Sequence, residues 1–509
     1  MELSFDSAAF CYSFQPNSLK PLANSSSICQ DWSLNHSDKT ELASHSTHNR
    51  SLHIVGVCVD SLGEISRNDI PEVALLNASR NVIELYSYFD RFAGRYVVFY
   101  QEGEDWYVWG DATCSLPIHY MRSPTEFSAV ASHESLLSIT ANLAVSSKSL
   151  RIRGASSSDQ PMPFDLSMFD SIGVLLPNHI LDLRKGHPRR VPIFTHDIFA
   201  SSQSTDVVTR TFERVQQIAK SYASIYDLNC ALTSGRDSRL NLSFLLKSDI
   251  PLICYVFQHA YLNNQSDDIC VPRKIASCHG IQIEVLATQT APAEFAQQVS
   301  KLAGPYADKR SVDLAFTYRS RFPERALLTG DIVDQIGKSL LGNSVPNCLS
   351  TPRYFQCKIH NTSRESRIEI SRHLAEMTEF ERAHHAYDLF AWESRCARWS
   401  TQAINIYSLC GITSLNLYNL RSIIQDWLSI PRQRRKSYWL HTSLFEITKP
   451  ELLFFPFNPS SRTALLKKYW PLFYIATFVK QTFLVARNLY RSVGFTAIRG
   501  SKRNLPSSN

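Results

Sequence analysis

The stretch NCALTSGRDSRLNLSFLL, residues 229–246, passes from an apolar run into Thr-Ser-Gly-Arg-Asp-Ser and then into apolar residues at helical spacing. This pattern reads as a buried strand, a polar turn and a helix. At such a junction free backbone N–H groups and the positive end of the helix dipole face outward from the strand's carboxyl end, where phosphate binds readily. Thr233, Ser234 and Ser238 supply hydroxyls, and Gly235 lets a phosphate approach the backbone. Asp237 is a candidate ligand for a Mg²⁺ ion bridging phosphates. The same residues also suit an ordinary loop with a helix cap, since Ser and Asp are favoured caps.

Outward from this point the chain alternates. The helical pattern TRTFERVQQIAKSYASIYD (209–227) precedes it, and PLICYVFQ (251–258), VPRKIASCHG (271–280) and IQIEVLA (281–287) follow as strand, helix and strand. That succession predicts a parallel sheet with crossover helices, and beyond about residue 365 the pattern is mainly helical. Towards the N-terminus the character changes. LHIVGVCVDSLG (52–63), GRYVVFYQEGEDWYVWGD (94–111) and PIHYMRS (117–123) are β-like, with a turn at Gly103–Asp105, and FCYSF (10–14) is a further strand candidate. ASSSDQPMP (155–163) reads as an exposed loop.

A chain of 509 residues implies two or three domains, and its apolar content gives each enough to bury. The net charge of +7 concentrates in IPRQRRKSYW (430–439) and after residue 466. A solvated basic face is the plain reading; nucleic acid or membrane contact is the sharper alternative. No spacing of basic and aromatic residues matches an RNA-binding signature, so no nucleic-acid partner is expected. The 12 cysteines are scattered singly, with no signal peptide, which fits a reducing cytoplasm. No stretch reaches roughly 18 uncharged apolar residues, the span of a membrane helix. In YWPLFYIATFVKQTFLVARNLYRSVGF (469–495) the residues Lys480, Arg487 and Arg491 interrupt the apolar run. That amphipathic segment suits either a membrane surface or docking on its own protein.

TSGRDS resembles the pyrophosphate loop of the asparagine synthetase family, commonly Ser-Gly-Gly-x-Asp-Ser, with Thr233, Ser234, Gly235, Arg236, Asp237 and Ser238 on that motif. Ser234 replaces its first glycine. LLTGDIVDQIG (327–337) is similar to the family's Gly-x-Gly-Gly-Asp-Glu stretch: Gly330 and Asp334 match, while Ile332, Val333 and Gln335 replace two glycines and an acid. NQSDDICVPRKIASCHGIQIEVL (264–286) resembles its acidic-then-helix element, with Asp267 or Asp268 as the acid. Further forward, residues 92–120 are similar to the family's glutaminase-type domain, on Gly94, Arg95, Asp111, Pro117 and Tyr120, continued by ASHESLLSI (131–139).

The resemblance implies an α/β chain. Residues 1–190 would form an N-terminal Ntn-hydrolase-like αββα domain. Residues 191–465 would form a doubly wound parallel-sheet synthetase domain, adenine nucleotide alpha hydrolase-like, with a helical C-terminal part. Residues 466–509 would form a basic amphipathic tail. It implies ATP and Mg²⁺, with Asp237 and Asp334 as catalytic metal ligands and Thr233–Ser238 and Gly330 at the nucleotide. Arg239, Lys274 and Lys338 are nearby cations; Glu393 with Arg395, and Lys449, are candidates for the family's late catalytic positions. The family's glutaminase needs a cysteine at the mature N-terminus. Here position 2 is Glu2, and Cys11 lacks the following glycine. The implied activity is ATP-dependent adenylation of a small-molecule or peptide carboxylate, with pyrophosphate release and capture by an amine of the substrate, as in relatives that close β-lactams or lasso peptides. A catalytically impaired nucleotide-binding scaffold in a natural-product or polysaccharide pathway is the alternative.

Overall fold

The computed structural model describes residues 8, 10–16, 25–27, 32–78, 81–122, 129–154, 161–194, 204–259, 262–338, 345–457, 475, 478, 479 and 482. Positions 155–160 of the expected exposed loop, and nearly all of the basic tail, lie outside them.

The run Arg50–Asp60 carries apolar side chains at both parities, so a strand made from it must be covered on both faces. Val55, Val57 and Val59 join one core, Leu52, Ile54 and Cys58 another. The neighbouring strand Phe92–Glu102 divides in the same way, with Ala93, Val97 and Phe99 on one side and Tyr96, Val98 and Tyr100 on the other. Both belong to a 6-stranded antiparallel sheet ordered His187–Arg190, His179–Asp182, Asp105–Gly110, Phe92–Glu102, Arg50–Asp60, Leu42–Ser46. A second 6-stranded sheet runs Ile172–Val174, His119–Met121, Val130–Ala131, Tyr12–Pro16, Trp32–His36, Ser25–Ser27. The two sheets meet through contacts such as Phe14 on Phe99, with ring centroids 4.7 Å apart. Helices Ile70–Asn77 and Val82–Tyr88 cover the outer face of the first sheet, and Glu134–Thr140 that of the second, through Leu136 and Leu137. This is the expected αββα layering.

Where the two long strands of the first sheet cross most tightly, only glycine fits. A Cβ on Gly94, at φ +139°, would stand 2.0 Å from the Val57 carbonyl oxygen.

The second half holds a 5-stranded sheet in the order Ile283–Ala287, Leu252–Gln258, Leu228–Ala231, Ala326–Thr329, Ser414–Asn416, with every pairing parallel. Alternate residues again reach different cores: Leu228, Cys230, Ala326 and Leu328 on one face, Tyr255 and Leu327 on the other. Helices Ser204–Ala223 and Arg236–Lys247 pack on the first face; Ala293–Ala303, Lys309–Arg321 and Thr401–Leu409 pack on the second. The sheet is doubly wound as expected. Its first strand in the chain is central, so the chain leaves it in one direction and returns on the other side at Ala326–Thr329. That reversal makes the carboxyl ends of Leu228–Ala231 and Ala326–Thr329 a topological switch point. The fifth strand emerges from the region read as helical, and at 3 residues it is too short to show a period.

The halves are locked together by buried polar bonds. Arg95 donates to Asn405 Oδ1 (2.9 Å) and Ser408 Oγ, Trp392 Nε1 donates to the Ala112 carbonyl (2.6 Å), and Asn419 Nδ2 donates to Asp111 Oδ1 (2.9 Å). Arg190 bridges Glu381 and Glu393 at 2.8 Å each. Glu393 is thus no partner of Arg395, whose guanidinium lies 4.1 Å from the Trp399 ring centroid. Burial alone would raise the Glu393 pKa, but Arg190 and His373 hold it well below the carboxylate range.

The basic run at 430–439 also departs from a plainly solvated face. Arg435 is buried and pairs with Asp388 at 2.7 Å, and Arg432 donates to Asn347 Oδ1 at 2.8 Å. Opposed acids and carbonyls, invisible in the local sequence, draw these cations inward. Among the described residues no helix is long and apolar enough to cross a membrane. No disulfide joins their cysteines. Phe478, in the tail, packs against the protein's own core, 6.4 Å from the Tyr354 ring.

Candidate functional site

The helix Arg236–Lys247 begins immediately after the Leu228–Ala231 strand, with Gly235 at its N-cap and no side chain capping it. The first-turn amides therefore keep the donor character and the positive dipole end of an open helix start. The loop before it is held by its own hydroxyls. Ser238 Oγ accepts from the Thr233 amide (3.1 Å), and Thr233 Oγ1 accepts from the Gly235 amide (3.1 Å). Ser234, which stands where the family has glycine, stays outside the left-handed region, so its side chain costs no backbone strain. Its amide and hydroxyl both donate to Asp268 Oδ1, at 3.0 and 2.6 Å. Of the two acids Asp267 and Asp268, it is Asp268 that reaches the loop.

The second loop lies directly against the first. Asn241 Nδ2, on the helix after the first loop, donates to the Thr329 carbonyl at 3.0 Å, and a Cβ on Gly330 would stand 3.4 Å from the Asp237 backbone, so the two strand ends are close neighbours. Beyond Gly330 the chain forms the wide helical turn Val333–Gly337, which carries Asp334 within electrostatic reach of Asp237. Burial and the Asp237 charge raise the Asp334 pKa, outweighing the Lys338 ammonium bonded to its Oδ1. Burial alone would lower the Lys338 pKa, but Asp334 holds it above the ordinary lysine value. Gln335, in place of the family's acid, turns inward and donates to Ser400 Oγ at 2.8 Å.

Two residues of this site carry no signal in the sequence near it. His441, fully buried on helix Trp439–Thr448, has Nε2 3.0 Å from Asp237 Oδ1. Tyr438 holds a left-handed backbone (φ 61°), and its ring lies 4.2 Å from the Arg236 guanidinium carbon and 5.6 Å from Lys338 Nζ. Both sit about two hundred residues from the loop they meet.

The other candidate cations have different fates. Arg239 is buried and spends its guanidinium on backbone carbonyls: Ser234 at 2.7 Å, Phe455 at 2.9 Å, and Pro456. Burial and the Arg236 charge lower its pKa to about 10. It straps residues 452–456 to the loop instead of facing a ligand. Lys274 is exposed midway along helix Asp267–His279, and Lys449 ends helix Trp439–Thr448. Arg236 is the loop cation that stays half-exposed.

The donor chemistry fits a hard divalent cation. The bonds to Lys338 and His441 both use Oδ1, leaving the Oδ2 of each carboxylate available, and the side chains of Asp237 and Asp334 are 26% and 29% exposed. Among the described residues no group of three or more acidic, histidine or cysteine side chains is gathered for a metal. A pair of carboxylates whose ion completes its shell with phosphates and water is how Mg²⁺ is commonly held. Beside the same strand ends opens a cavity of about 270 Å³, lined chiefly by apolar groups including Tyr255, Leu328, Trp399 and Tyr407, with Asp331 also on its wall.

In the front half, Asp111 and Arg95 serve the fold. Cys11 is buried at the start of the first strand, its Sγ 4.0 Å from His133 Nδ1. Its nitrogen is a peptide amide donating to Thr40 Oγ1 (3.0 Å), whereas a glutaminase of this type uses a free terminal amine as base. A cavity of about 60 Å³ adjoins His119 and His133.

No family model matches the chain, and no curated protein does. Among solved structures it is similar to NMN synthetase from Francisella tularensis (12% identity, 38% of this chain and 94% of that one, TM-score 0.20). It is also similar to the U34-tRNA thiolase NcsA from Methanococcus maripaludis with its 4Fe-4S cluster (10%, 54% and 90%, TM-score 0.22). A third is glutamine phosphoribosylpyrophosphate amidotransferase from B. subtilis complexed with ADP and GMP (10%, 58% and 65%, TM-score 0.24). At such scores the likenesses carry no argument, and the reading of the site rests on its own geometry.

Proposed function

We propose that the protein is an ATP-dependent ligase of the asparagine synthetase-like type. It adenylates a small-molecule or peptide carboxylate, releases pyrophosphate, and joins the acyl group to an amine without hydrolysing glutamine. The observation that carries this reading is the approach of two strand ends at the switch point, where Asp237, in the first turn of an uncapped helix start, and Asp334, beyond the neighbouring strand, lie within electrostatic reach of one another.

In this reading a carboxylate oxygen forms a bond to the α-phosphorus of ATP while the bond to pyrophosphate breaks, and pyrophosphate leaves with the electron pair. The amine nitrogen then forms the C–N bond, AMP departs with the C–O electron pair, and the one proton shed by that nitrogen passes to base or solvent. The chain's part is positioning and charge neutralisation. The first-turn amides receive phosphate oxygens, Arg236 and Lys338 bring positive charge, and His441 fixes the Asp237 carboxylate. Mg²⁺, held by Asp237 and Asp334, would supply charge neutralisation at the phosphates. The apolar cavity beside Thr329 suits the body of the acceptor.

A nucleotide-binding scaffold is the second reading, favoured by one observation: the amides of Thr233, Ser234 and Gly235 are already satisfied within the protein. Calorimetric titration with ATP and Mg²⁺, run beside Asp237→Asn, tests the site, and pyrophosphate release with candidate carboxylates separates ligase from scaffold. Saturable binding lost in the variant supports a working nucleotide site; absence of binding in the wild-type chain removes both nucleotide readings.

A further inference from the structure

Asp237 and Asp334 are like charges within electrostatic reach of one another, and the protein supplies a cation of its own beside them. Lys338 stands four residues after Asp334 (i,i+4), so the wide turn Val333–Gly337 delivers both side chains to one side. Its ammonium bonds Asp334 Oδ1, lies within electrostatic reach of Asp237, and faces the ring of Tyr438. Tyr438 is a fixed wall. Its left-handed backbone caps the helix Trp439–Thr448, and its ring packs edge-on 5.5 Å from His441. The lysine side chain is 20% exposed, so its ammonium is held mostly out of water beside Asp334.

A divalent ion approaching Asp334 must displace that ammonium. Leaving it unpaired in a partly buried place is costly, because desolvation of an uncompensated charge is not repaid. A polyphosphate arriving with the ion removes the difficulty by giving the ammonium a new anion within a side chain's swing. We propose that Lys338 is a built-in counter-ion that keeps a free divalent cation off Asp334 and transfers to the polyphosphate when nucleotide binds, so that metal and nucleotide enter together. This rests on the reading of Asp237 and Asp334 as the metal-holding pair. It assigns that pair a rule of order: little metal without nucleotide.

The test uses the full chain and Mn²⁺ alone, followed by the paramagnetic signal of free Mn²⁺, in wild-type protein, Lys338→Met and Lys338→Arg. Removal of the charge is expected to tighten Mn²⁺ binding by about tenfold or more, while the arginine variant stays as weak as wild type. In a second arm a fluorescent methylanthraniloyl-ATP is titrated without metal, and Lys338→Met is expected to bind it about tenfold more weakly. Unchanged thermal melting verifies that the variants are folded. Equal Mn²⁺ affinity in wild type and Lys338→Met, with binding lost in Asp334→Asn, would overturn the role of the lysine and leave the metal site standing. If Mn²⁺ binds none of these proteins, the metal pair itself is refuted and the proposal with it. Failure of the fluorescent nucleotide to bind wild type even with Mg²⁺ strikes instead at the proposed function.

Discussion

Asp111 directly follows a strand, and Asp237 stands in the first turn of the helix that follows one. Asp111 is fully buried and accepts from the amides of Thr113, Ser115, Tyr96 and Leu116, from the Ser115 hydroxyl, and from Asn419. Asp237 is 26% exposed and has His441 as its hydrogen-bond partner. The first aspartate is a structural staple joining the halves; the second keeps acceptor capacity for something that arrives. The residue type is the same for both. What separates them is whether the carboxylate lone pairs are already used.

The sharpest way to break that comparison is to remove each in turn. Asp111→Ala strands several buried donors and is expected to cost on the order of 4 kcal/mol, read as a fall in the denaturation midpoint. Glu393→Gln, which unbalances Arg190 and His373, is expected to cost about 3 kcal/mol. Asp237→Asn should leave the same midpoint within about 1 kcal/mol and lower ATP affinity by about a hundredfold, roughly 2.7 kcal/mol in binding. If Asp237→Asn instead unfolds the protein, the two aspartates belong to one structural class.

Acid provides a graded version of the same contrast. Burial lowers His53, His133 and His385 to about 4 and His119 to about 3 from an ordinary 6.5. Unfolded imidazoles take up protons near pH 6.5 while the folded ones resist until about pH 4 or below. Stability is therefore full above that higher value and falls as pH drops, by up to about 1.4 kcal/mol per pH unit for each histidine. Melting temperature against pH should show the decline below 6.5 in wild type and a shallower one in His53→Gln. The smallest effect is expected at the loop. Ser234→Gly loses the hydroxyl bond to Asp268 and should cost about 1 kcal/mol or less, with ATP affinity falling if that bond orders the loop and rising if it obstructs phosphate.

The long strands of the front half and the parallel strands of the second were legible because their apolar residues either fill both parities or alternate with crossover helices. Asp268 was legible as one of two acids, and the structure selects it by its bonds to Ser234. Ser414–Asn416 was not, being too short to show alternation and set in a helical neighbourhood. His441, Tyr438 and the buried Arg435 were hidden for another reason. Each is defined by a partner far away in the chain, and a local pattern holds no trace of such a pairing. The pairing of the Ser234 hydroxyl with Asp268, 34 residues further on, was hidden in the same way.

His441 reaches back 204 residues to Asp237, and the fifth strand of the sheet arrives only at Ser414–Asn416. During synthesis the ribosome therefore releases the phosphate-type loop long before the residues that steady it. A nascent chain cut short before residue 441 carries the complete TSGRDS sequence with Asp237 unsupported.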